Sequence, residues 1–191
     1  MHALWILPAC MAAFETIPDS RERDVVMTQT TSPVSVALLN FAGTLAKRDP
    51  EGFHSKVAML THVGYNWRDE ETIVFRLADQ AVRVWGAAML ELKDRKFDAD
   101  TLRTLAPLTD RKSSGAATAA LEALDFALIS HSKDCASCAA GDGGTPEFVG
   151  SQAAYAAIAL ANGYDDQRRR DVYENAAALL AELRSGFDLL H

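Results

Sequence analysis

Apolar residues recur at spacings of three and four almost throughout this chain, and that helical period limits the fold more than any other feature. After Ser32-Pro33, a helix opening, Val34, Leu38, Phe41 and Leu45 form one stripe that ends near Asp49-Pro50, because proline disfavours helical geometry in the residue before it. Phe53, Val57 and Leu60 mark a shorter helix between about 51 and 64. Asp69-Glu70-Glu71 supplies acids for the positive end of a helix dipole. Behind them Ile73, Leu77, Ala81, Val84, Ala88 and Leu92 define a face that Val74, Trp85 and Met89 widen, with charges on the opposite side.

A short turn of helix is expected over 100–105. The next helix starts at Ser113-Ser114, carries Ala117, Leu121, Leu124 and Leu128, and ends before Gly141-Asp-Gly-Gly144. Thr145-Pro146-Glu147 combines an N-cap, an N1 proline and an early acid. The helix it opens ends at Asn162-Gly163, with glycine expected in the left-handed conformation. Asp165 or Asp166 caps the last helix, whose Val172, Ala176, Leu179 and Leu183 face inward and which Gly186 closes. Alanine-rich faces at 153–161 and 176–181 let those two helices approach as an antiparallel hairpin. No strand-like alternation and no solenoid period is present. The expectation is an all-α single-domain bundle of six or seven helices with short loops over residues 27–191, preceded by an N-terminal arm or extension, 1–26.

The 191 residues suffice for a core without disulfide support, with 49% hydrophobic and 24% charged residues. The formal charge of −7 is spread thinly and leaves no basic patch, which excludes nucleic acid as an expected partner. Arg168-Arg169-Arg170 is flanked by acids and reads as a solvated helix start. Three cysteines do not make a disulfide framework, so a reducing, cytoplasmic setting is expected. Ala3 to Phe14 is apolar but lacks a basic start, and it is too short for a membrane span. It reads as a packed arm, with Met27 as an alternative natural start.

The one grouping of metal- or redox-capable side chains is His131-Ser-Lys-Asp-Cys135-Ala-Ser-Cys138. Continued by helical steps, the 117, 121, 124, 128 stripe reaches 131, 135 and 138. Three readings follow. The residues are buried as part of an apolar seam. Or they converge on zinc, with a fourth ligand from His62, His54, Cys10, Asp134 or water. Or the two thiols form a redox pair, which a helix C-terminus disfavours because it favours the neutral thiol. The spacing resembles the ligand pattern of zinc-containing anti-sigma factors over eight residues. No Cys or His between His62 and His131 supplies that family's upstream ligand, so the family is not assigned.

Glu51-x-x-His54 has di-iron spacing but no second motif. The cluster from His62 to Trp67 suits a pocket rim or an anchored loop equally. No catalytic constellation can be read from spacing. The functional expectation is therefore a non-enzymatic helical protein that binds a protein partner, of regulatory, adaptor or inhibitor type, with no cofactor. A homodimer through an exposed stripe is a further expectation. The alternative is a zinc or thiol-redox protein centred on His131, Cys135, Cys138 and His62.

Overall fold

A computed structural model describes residues 35–49, 52–53, 67–124 and 126–188. Among them are seven helices and no strand. Helix α1 is Val36–Ala46. Helix α2 runs as Trp67–Asp79, continues without interruption through a wider π-helical segment, Gln80–Gly86, and finishes as Ala87–Leu92. Then come α3 (Lys96–Thr104), α4 (Arg111–Glu122), α5 (Phe126–Ala140), α6 (Pro146–Asn162) and α7 (Asp166–Asp188). The N-terminal arm and most of the helix expected over 51–64 lie outside the described residues.

Helix α6 is the axis of the bundle. Val149, Gly150, Ala153, Ala154, Ala157, Ile158 and Leu160 are all buried, and its most extensive partner is α1, with α5 next. The expected α6–α7 pairing is present but smaller. Gly150 explains the preference for α1: a Cβ there would lie 2.1 Å from the Ala37 carbonyl oxygen, so the two backbones meet directly. Ser35, not the expected Ser32-Pro33, caps α1, its hydroxyl accepting from the Leu38 N–H at 3.2 Å. Glu70 of α2 supplies what one serine cannot. Its carboxylate accepts from Ala37 N–H at 2.8 Å and Val36 N–H at 3.2 Å, satisfying two more of the orphan donors at the helix start.

The face of α2 departs from the expected one in an instructive way. Ile73, Leu77 and Ala81 are buried as the period requires, but Val84 is 47% exposed and Ala88 only half-buried. Trp85 and Met89, expected to widen that face, are buried as expected, and Trp85 stacks on Phe41 at 5.9 Å. The π segment causes the shift. Its turns close five residues back, as in the Ala87 N–H to Val82 carbonyl bond, so the buried stripe moves on by one residue.

Further boundaries differ from expectation. The stretch from Ser113 to Ala140 is not one helix but two, α4 ending at Glu122 and α5 beginning at Phe126. Gly115 near the start of α4 sits beside Ala140 at the end of α5, so the pair folds back as an antiparallel hairpin, joined by Lys133–Glu122 at 3.3 Å. The start is also earlier: Asp110 and Ser113 form a reciprocal capping box. Gly163 ends α6 with φ −83°, not in the left-handed region. Its missing side chain makes room instead, because a Cβ would lie 2.3 Å from Leu92 Cδ2. Asp165 caps α7 as expected, accepting from Arg168 N–H at 3.0 Å, and α7 continues past Gly186 to Asp188. A helical glycine costs about 1 kcal/mol but does not compel a stop.

The 105–110 connection is fixed by a buried carboxylate. Asp79 accepts from the Leu108 N–H at 3.0 Å and from Arg83 at 3.1 Å, while Arg76 reaches both Asp79 and Glu182 of α7. No helix among the described residues is long and apolar enough to cross a membrane.

Two glycines give opposite expectations. Gly150→Ala must push α1 from α6 and should lower stability by about 1–3 kcal/mol. Gly43→Ala, with nothing within 4 Å of the new methyl, should raise it by up to about 1 kcal/mol. Urea denaturation of the two variants checks the pair.

Burial raises the Glu70 pKa above the ordinary carboxylate value and Glu147 adds to it, against the lowering effect of the bonds from Ala37, Ser35 and Val36. A carboxyl raised on folding favours the native state at low pH, and that contribution is lost as pH rises through the folded pKa. Wild type should therefore gain stability relative to Glu70→Gln as pH falls from 7 to 4, which melting curves of both proteins over that range will show.

Candidate functional site

Helix α5 carries all three residues of the H-x3-C-x2-C cluster, but each side chain meets a different neighbour. His131 Nδ1 lies 2.7 Å from Gln152 Oε1 of α6, and its ring tilts against Tyr155 at 5.4 Å. Cys135 is wholly buried and its thiol donates to the Val149 carbonyl at 3.6 Å. Cys138 is half-buried against Gly144, where no Cβ would fit.

Both thiols are free and both are held protonated. Burial pushes the Cys135 pKa far up, and Cys138 and Asp134 push it further. Burial, Asp134 and Asp142 raise that of Cys138. A zinc ligand or a redox nucleophile must be a thiolate. Among the described residues, no group of three or more His, Cys, Asp or Glu side chains is placed to hold a metal ion. His62, the expected fourth ligand, lies outside the described residues, as do His54 and Cys10. Because α4 and α5 are separate helices, the expected seam from Ala117 to Cys138 is not continuous. Cys135 is buried as that reading required, whereas His131 and Cys138 are not fully so.

Two backbone irregularities meet beside His131. The π segment of α2 faces α5 close to Ile129, whose φ −127° and ψ 24° bend that helix. The buried Ser132 hydroxyl joins them, donating to the Ala81 carbonyl at 2.7 Å over the bare Gly86. Trp85, Met89, Ile129, His131 and Ala156 line a small cleft at this junction, with room for about one water molecule. It is too small for a substrate, and Ser132 is committed to the backbone rather than to a base.

The feature that sequence spacing did not single out is the outer stripe of α6. Phe148, Gln152, Tyr155 and Ala159 follow one another at helical steps and share its solvent side, with Phe148 43% and Tyr155 41% exposed. Residues 148–164 contain no charged side chain, so the stripe is uncharged from end to end. Helix α1 is likewise without charge, but none of its residues is exposed, whereas α2, α3, α5 and α7 carry charged side chains on their outer sides. Phe97 is 85% exposed, but Lys96, Asp100 and Arg103 accompany it on α3, an isolated exposure of the ordinary kind. The arginine run at 168–170 is occupied locally, Arg169 with Asp166 and Arg170 with Gln167. A signal was available in the sequence: seventeen uncharged residues, with Phe148 and Tyr155 seven apart.

Comparison with protein-family models, curated proteins and solved structures finds no match to this chain.

The thiols give a direct check on this geometry. Alkylation by iodoacetamide at pH 8, mapped by peptide mass spectrometry, should label Cys138 slowly and leave Cys135 unlabelled until the protein is unfolded. Equal protection of both thiols that a chelator releases would instead place zinc on them.

Proposed function

We propose that this chain is a helical interaction protein, without catalysis of its own, that binds a protein partner through the outer stripe of α6. The observation that carries the reading is the uncharged strip with two half-exposed aromatics on the solvent side of α6. Protein interfaces are depleted of charge at their centre and enriched in tyrosine and phenylalanine. Residues of that kind, set in a well-packed surround, carry most of the binding energy.

His131 belongs to this strip as a polar contact at its edge. Its bond to Gln152 and its contact with Tyr155 hold both side chains in place before binding, which reduces the ordering cost of association. The net charge of −7 would speed encounter with a basic partner. A reducing compartment goes with this reading, since Cys135 and Cys138 are unpaired thiols.

A photo-crosslinking amino acid at position 155, in the cells that make the protein, tests it. An adduct of defined mass should form from position 155 and not from position 97, and Phe148→Ala should weaken the isolated complex by about 1–3 kcal/mol, roughly 5- to 150-fold, with the melting temperature unchanged. Adducts that form equally from both positions, or from neither, would remove the proposal. An adduct of twice the chain mass would make the partner a second copy.

A further inference from the structure

We draw no further inference here: the strongest candidate, the Cys135–Cys138 thiol pair near the C-terminal end of α5, belongs to the site already described, where burial holds both thiols protonated and each is committed to packing, Cys135 on the Val149 carbonyl and Cys138 on Gly144.

Discussion

The direct meeting of two backbones, α1 against α6 at Ala37 and Gly150, sets the arrangement of the rest. With a side chain at Gly150 the two helices would have to separate by more than an ångström, and the faces of Leu38, Phe41 and Leu45 would lose their contacts together. So close an approach brings the first turn of α1, with its unpaired N–H groups, into partly dry surroundings. Glu70 answers that need from α2, at a desolvation cost that shows in its raised pKa. One close approach thus ties three helices: α6 supplies the glycine, α1 the donors and α2 the acceptor.

A second constraint lies at the opposite end of α2. A regular helix would turn Val84 and Ala88 to the middle of the buried face and Trp85 only to its margin. The π segment moves the stripe on by one residue and puts the larger side chain in the core. A widened turn exposes carbonyls to other donors, and the Ser132 hydroxyl binds one of them, the Ala81 oxygen. The bend at Ile129 faces this junction. The two irregularities are best understood as one packing device, which accounts for a cleft there with no room for a ligand.

Much of this was legible along the chain, and the failures have physical reasons. The Pro146 start, the Asp165 cap and the inward face of α7 follow from capping chemistry and period, which act locally. The π segment was hidden because the sequence is apolar in both phases: Val84 beside Trp85, Ala88 beside Met89. The break between α4 and α5 was hidden because Ala123-Leu-Asp125 holds no glycine or proline, and the fold-back is favoured by packing of one helix on the other. At the candidate site, the burial of Cys135 was legible as an apolar position. The separate engagements of His131 with Gln152 and of Cys138 with Gly144 were not, since both depend on where α6 and its preceding loop return.

The uncharged run at 148–164 shows how one sequence property meets two demands. A helix surrounded by α1, α5, α7 and α2 can carry almost no charge, because nearly every position faces another helix. The strip that remains outward is under no such requirement. Lysine or glutamate at 152 or 155 would cost the bundle little, and charged residues fill the corresponding positions of α7. The core therefore explains the alanines of α6 but not Phe148, Gln152 and Tyr155, whose aromatic and amide groups face the solvent. Gln152 and Tyr155 are held in place by His131, so the strip is ordered although the packing of the bundle does not require it.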